Sequence, residues 1–233
     1  MPLPTTSDFL PHIAYDSVIF GFSKGQLKIL LMEYKSTGWL ALPGGFVGRN
    51  EDLNEAVKRG LKERTGLADI YLEQFQTFGN LKRHEPQVMK TILAANGYEV
   101  ENDFWLLDRF LSIAYYALID FEKVTLQPDT LSDSIAWYDI EDLPELILDH
   151  QKIVQKALQT LRENLDRKLI GGKLLPERFT MKELQQVYES ILGEKLRRTS
   201  FQRKMLGLEI LERHEKLFTG KSHKAPYLYS FKE

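Results

Sequence analysis

The chain of 233 residues contains no cysteine. A disulfide framework, a thiolate zinc site and a Cys nucleophile are thereby excluded, and any chemistry falls to carboxylates, His, Lys, Arg or backbone groups. Histidine is scarce too, at five residues. No apolar run approaches the roughly 18 to 20 residues that a membrane span needs, and the start, Met-Pro-Leu-Pro-Thr-Thr-Ser-Asp, has neither a basic end nor an apolar core. The expected compartment is the cytoplasm, with no membrane partner. With 43% hydrophobic and 27% charged residues, the composition excludes collagen, coiled coil and disorder and fits one large globular domain or two small ones.

The net charge of −2 hides an asymmetry. Residues 1–150 carry 13 Lys and Arg against 23 Asp and Glu, a net of −10, whereas residues 151–233 carry 18 against 10, a net of +8. An acidic half followed by a basic half predicts two domains, 1–150 and 151–233, the second facing a polyanion.

The first half reads as mixed α and β. Tyr15–Phe22 and Leu27–Glu33 are apolar β-rich runs around the turn signal Ser23-Lys24-Gly25-Gln26, and their lack of strict alternation fits strands buried on both faces. Trp39–Leu42 is a short third strand stopped by Pro43-Gly44-Gly45. Leu53, Ala56, Val57, Gly60 and Leu61 recur at helical spacing up to Arg64, with Asn50 as the expected N-cap and Gly66 as the stop. Tyr71–Phe78, Phe110–Phe121 and Ile135–Tyr138 are further strands. Between the first two lies a polar stretch, Asn80–Arg109, with a helical piece near Gln87–Ala95, a connection long enough to be functional or a peripheral insertion. Pro144–Leu161 is expected to be one long amphipathic helix crossing the charge boundary.

The second half has a different pattern. Thr180-Met181-Lys182-Glu183 is a capping box opening a helix with Leu184, Val187, Tyr188, Ile191 and Leu192 on its apolar face, closed by Gly193. A basic helix follows, Arg197–Leu206, and then two strands, Leu208–Leu211 and Tyr227–Phe231, around a basic loop. Helix, Gly turn, basic helix and hairpin is the order of a winged helix-turn-helix. Its candidate DNA contacts are Arg197, Arg198, Thr199, Ser200, Gln202, Arg203 and Lys204 on the helix, and Lys221, His223 and Lys224 in the wing. Arg contacts guanine bidentately, Gln reads adenine, and Ser, Thr and Lys hold phosphate. The plainer alternative is a basic surface helix that binds protein.

Gly45, Glu51, Arg59, Leu61, Glu63, Gly66 and Leu67 fall in register with the Nudix box, which runs Gly, five residues, Glu, seven residues, Arg-Glu-apolar-x-Glu-Glu-x-Gly-apolar. The resemblance to that family covers about residues 12–145 and implies an α/β/α sandwich. Two of its glutamates are missing, replaced by Gly60 and Arg64, one helical turn apart. In the family those carboxylates hold Mg²⁺ and help activate water. Gly60 supplies no ligand and Arg64 a fixed cation, so neither metal nor cofactor is expected; Glu51 and Arg59 could pair as a brace.

A degenerate Nudix domain followed by a winged helix resembles the Nudix-related transcriptional regulators of bacteria. The resemblance implies an α+β chain, not an enzyme, that senses a small metabolite, ADP-ribose in one branch and arabinose in another. It implies a homodimer on a double-stranded DNA operator, released or recruited by the effector. Candidate effector-binding residues are the aromatics Tyr34, Trp39 and Phe46 and the cations Arg49 and Arg83, since sugars stack on aromatic faces and phosphates need cations or amides. Loss of the metal carboxylates favours a sugar or sugar derivative. The alternative function is an active hydrolase of ADP-ribose with Glu55, Glu63 or Glu85 as substitute ligands.

Overall fold

A computed structural model describes residues 3–68, 70–166, 173–217 and 225–232, and the elements below are those of these residues. The chain runs β1 (Phe9–Ser23), β2 (Gln26–Tyr34), β3 (Leu40–Ala41), β4 (Gly44–Gly48), α1 (Leu53–Thr65), β5 (Tyr71–Phe78), α2 (Pro86–Ala95), β6 (Leu111–Ile119), β7 (Ser132–Asp139) and α3 (His150–Asn164). It continues as β8 (Phe179–Thr180), α4 (Met181–Leu192), α5 (Arg198–Gly207), β9 (Leu211–Lys216) and β10 (Tyr227–Phe231). No described helix is long and apolar enough to cross a membrane.

The first seven strands form one mixed sheet in the order β3-β2-β1-β6-β5, with β4 on β1 and β7 on β2. β1 and β6 are parallel, Tyr15 opposite Ile113 and Phe20 opposite Leu118. Successive residues of the central strands serve opposite cores: Ile19, Leu30, Met32 and Tyr115 pack with Val57 and Leu61 of α1, while Phe20, Ile29, Leu31 and Tyr116 pack with Ile153, Ala157 and Leu161 of α3. Burial on both faces explains why these strands read as continuous apolar runs. The sandwich is therefore α1, sheet, α3.

The α3 core does not stop at the sheet. It runs on through Phe179, Leu184, Val187, Ile191, Phe201, Met205 and Tyr229, which form the interior of the winged helix. Arg162 of α3 donates to the Ile191 carbonyl at 2.6 Å, fastening the end of α3 to α4.

Several boundaries differ from the sequence expectations. α1 is capped by Asp52 rather than Asn50, because the Asp52 N–H finds the Glu55 carboxylate at 3.3 Å. The helix expected from Pro144 begins only at His150: Leu146 bridges to Leu40 and the Ile147 N–H donates to the Leu40 carbonyl, so those apolar residues serve the β3 edge. Leu148 then takes a left-handed φ of 52°. The strand expected at Leu208–Leu211 lies at Leu211–Lys216, since α5 extends to Gly207 and Glu209 turns the chain with φ 55°. Gly44–Gly48 pairs with β1 instead of only ending a strand.

Candidate functional site

A cleft of about 360 Å³ opens between α1, the β1/β4 pair and the 80–109 segment. That volume falls within the range of small-molecule sites. Part of its wall is aromatic: Phe46 lies 5.2 Å from Trp105 and 5.5 Å from Phe110, ring centre to ring centre, and Phe46 and Phe110 line the cleft. Charged and titratable groups also line it, Arg59, Glu63, Arg64, Asp129, Asp16, Arg83 and His150.

The α1 face has no arrangement for a hard cation. Glu51 accepts from Arg59 Nη2 at 2.7 Å, from Arg59 Nε at 3.1 Å and from the Gly48 N–H at 2.7 Å. The Arg59 bond, followed by that amide, holds its carboxyl below the usual range against the effect of burial. Glu63 lies 3.5 Å from the same Arg59, and Glu55 is spent on the helix cap. Arg64 fills the place of a metal carboxylate with a guanidinium that donates to Gly60 O at 3.1 Å, Gly44 O at 2.8 Å and Asp129 at 3.0 Å. A Cβ on Gly60 would come within 2.1 Å of the Tyr15 hydroxyl, so no carboxylate fits there without displacing the Tyr15 side chain. Among the described residues no three acids or histidines form a metal-binding group. The residues present do not fit the divalent cation of Nudix hydrolases, which needs several oxygen ligands.

Deeper in the cleft, Arg83 has only 7% of its side chain exposed and pairs with Asp16 at 3.4 Å and Asp149 at 3.2 Å. It also donates to the carbonyls of Phe78 and Phe110. Arg83 thus ties β1, β5 and the β6 end to the start of α3. The Leu42 N–H donates to His150 Nδ1 at 3.0 Å, which places the ring proton on Nε2, 3.7 Å from Asp16. Burial, only partly opposed by Asp16 and Asp149, pushes the His150 pKa below its ordinary value. A buried neutral His binds a proton more readily when unfolded, so its contribution to stability is complete above about pH 6.5 and is lost as pH falls towards the folded pKa. Between pH 7 and 5 the melting temperature is expected to fall more steeply for the wild type than for His150→Gln. Equal slopes in thermal scans refute this.

Of the expected effector residues, Tyr34, Phe46 and Arg83 line the cleft. Burial, with Asp129 and Asp16 close by, raises the Tyr34 pKa and keeps its hydroxyl protonated. Trp39 and Arg49 are not in the cleft wall: Arg49 is exposed and donates to the Thr6 carbonyl at 2.7 Å. Arg83 is held by Asp16 and Asp149 rather than standing free for a phosphate. The residues missed from sequence, Tyr15, Asp16, Arg64 and His150, come from three separated stretches. The polar 80–109 segment was a usable signal, because α2 supplies Met89 and Ile92 to the cleft wall.

In the second domain Phe201 and Met205 are buried. At about 100° per residue, Thr199, Arg203 and Leu206 stand on the opposite side of α5, with Gln202 beside them. Arg197, Arg198, Thr199, Ser200 and Arg203 are exposed and Gln202 is half-buried. Lys204 departs from the expected DNA face. It is paired with Asp166 at 2.7 Å and lies 6.0 Å from the Tyr188 ring, because its helical position turns it back towards α3 and α4. Lys221, His223 and Lys224 lie outside the described residues. At the wing base, Arg213 and Lys216 stack on Tyr227 at 4.6 and 5.2 Å, cations the sequence reading passed over.

The NUDIX domain family matches residues 10–160, and the NrtR DNA-binding winged helix domain matches residues 171–231. The ADPR responsive transcriptional repressor NtrR of Acinetobacter baylyi is 34% identical over 209 residues, 87% of this chain and 75% of that protein. The chain belongs to the NrtR family. NrtR of Shewanella oneidensis, in a crystal structure of the protein and in one complexed with a 27mer DNA, is 28% and 27% identical with TM-scores of 0.71. The matches cover 95% and 94% of this chain and 94% and 93% of those chains. An ADP-ribose pyrophosphatase of Methanocaldococcus jannaschii is 30% identical over 152 residues, 64% of this chain and 74% of that protein. In this NrtR-family chain a Nudix effector domain is joined to a DNA-binding winged helix, and its role is transcriptional regulation.

Proposed function

We propose that the chain is an ADP-ribose-responsive repressor, a homodimer in the cytoplasm, whose Nudix domain binds the nucleotide sugar without hydrolysing it. The observation that carries the reading is the Arg64–Asp129 pair on the α1 face where catalysis requires metal carboxylates. A cleft lined by both aromatic rings and guanidinium groups suits a base and a diphosphate, and the Acinetobacter relative is named for its response to this compound. The fixed cations also remove the reason for preferring a plain sugar, since charge neutralisation no longer depends on a metal. Asp149 and His150 tie the cleft floor to α3, and Arg162 ties α3 to α4, which gives occupancy a route to the DNA-facing helix. On α5, Arg197, Arg198, Thr199, Ser200, Gln202 and Arg203 meet the operator, with Lys221, His223 and Lys224 of the wing on its backbone.

A genomic fragment captured by the protein, titrated in a gel shift with and without ADP-ribose, tests the reading. Affinity is expected to drop about 5- to 150-fold when ADP-ribose is added, the usual span of allosteric coupling. Sedimentation is expected to show two copies, as two half-sites require. ADP-ribose hydrolysis with Mg²⁺ in the ordinary enzyme range of about 1 to 10³ s⁻¹, or operator affinity indifferent to ADP-ribose, refutes it.

A further inference from the structure

Tyr15 is 2% exposed, yet its hydroxyl faces the cleft and has no hydrogen-bond partner among the described residues. Two glycines make room for it: a Cβ at Gly45 would lie 2.5 Å from Tyr15 Oη, and one at Gly60 would lie 2.1 Å away. The same Cβ at Gly60 would be 3.2 Å from Arg64 Nη1. Tyr15 Oη and Arg64 Nη1 therefore converge over the bare backbone of Gly60.

Arg64 has 10% of its side chain exposed. Four of its N–H groups are used, Nε on Met32 Sδ, Nη1 on Gly60 O, and Nη2 on both Gly44 O and Asp129. A guanidinium has five. The remaining hydrogen is on Nη1, the nitrogen beside Tyr15. Burial keeps the Tyr15 phenol protonated despite Arg64 and Arg59 nearby, so it is a donor at neutral pH. The acids close to this point are already paired, Glu51 and Glu63 with Arg59, Asp129 with Arg64, the Leu131 N–H and Ser132, and Asp16 with Arg83 and Ser112.

Two convergent donors in a buried wall, one of them cationic, make an anion site. We infer that the Tyr15 hydroxyl and the Arg64 guanidinium form a metal-free cradle over Gly60 that takes the diphosphate of the effector in place of a divalent cation. The inference rests on the proposed effector reading and adds how the anion is held. Gly60 and Arg64 are then a matched replacement: the glycine admits the tyrosine hydroxyl, and the arginine one turn later brings the charge.

Calorimetric titration of the full chain with ADP-ribose in EDTA and in Mg²⁺, for the wild type and Tyr15→Phe, tests this. The variant keeps the ring and loses only the hydroxyl, and an unchanged melting temperature verifies its fold. Equal wild-type affinity in EDTA and Mg²⁺, with a loss of about tenfold or more in Tyr15→Phe, is expected for one hydrogen bond to a charged group. Binding that requires Mg²⁺, or an unchanged affinity in Tyr15→Phe, overturns the cradle. If ADP-ribose binds under neither condition, inorganic pyrophosphate in EDTA separates the two claims. Pyrophosphate binding that Tyr15→Phe weakens keeps the cradle and overturns only the effector reading, whereas no binding overturns both.

Discussion

Replacing Arg197, Arg198 and Arg203 together by Ala is expected to lower operator affinity by at least about a hundredfold at physiological salt while leaving the fold intact. All three are exposed, and the helix is held by the buried Phe201 and Met205 instead. Exposed substitutions of this kind change stability by about 0.5 kcal/mol or less. Arg203 stands opposite the buried stripe, next to Gln202, and is assigned to base reading; its single loss should cost about 1 to 3 kcal/mol and relax preference at one position. Arg198, in the first helical turn, is assigned to phosphate, so its loss should weaken all sequences alike and reduce the salt slope by about one unit. Lys204→Ala is expected to have a smaller effect, because that ammonium is paired with Asp166. Gel shifts of the triple variant at several salt concentrations decide the matter, and unchanged affinity would remove α5 as the reader.

Restoring the family glutamates, Gly60→Glu with Arg64→Glu, is expected to destabilise the protein by at least about 2 kcal/mol and to produce no hydrolase. The new Cβ at residue 60 meets the Tyr15 hydroxyl at 2.1 Å, and overpacking of this kind costs about 1 to 3 kcal/mol. Removing Arg64 leaves the Asp129 carboxylate, 30% exposed, without its cation and sets a second acid beside it, and loss of such a part-buried charged bond costs about 1 to 3 kcal/mol. For a domain of this size the sum corresponds to a fall of about 4 °C or more in Tm. Thermal unfolding together with an assay of ADP-ribose hydrolysis in Mg²⁺ checks both parts. A double variant as stable as the wild type, or one that turns over, would show that β1 and α1 can reopen a metal site.

Much of the architecture was legible because local signals agreed with the packing. The apolar runs of β1, β2 and β6 reported a sheet covered on both faces, and Thr180 with Glu183 marked the start of α4 to the residue. The errors have one kind of origin. Leu146 and Ile147 have helical spacing with the residues after them, but the open edge at Leu40 claims their backbone bonds. β9 was displaced because a surface hairpin strand, Leu-Glu-Arg-His-Glu-Lys, carries little apolar signal, while Leu208 and Ile210 just before it do. Chemical type points to Trp39 and Arg49 as effector residues, but type alone does not say which side of a strand or loop meets the cleft.

The sequence by itself determined the two-part organisation, the winged helix and the loss of metal ligands on α1, because these depend on spacing along one chain and on which side chains are present. Only the tertiary structure decided the cleft. Tyr15 on β1, Gly45 on β4, Gly60 and Arg64 on α1, Arg83 before α2 and His150 at the start of α3 are brought together by sheet pairing and by the return of the 80–109 segment. The physical reason is that a helix or strand signal comes from neighbours within a few residues. An unpartnered hydroxyl, a buried guanidinium and the missing Cβ that joins them acquire meaning only when residues 15, 45, 60 and 64 share one wall.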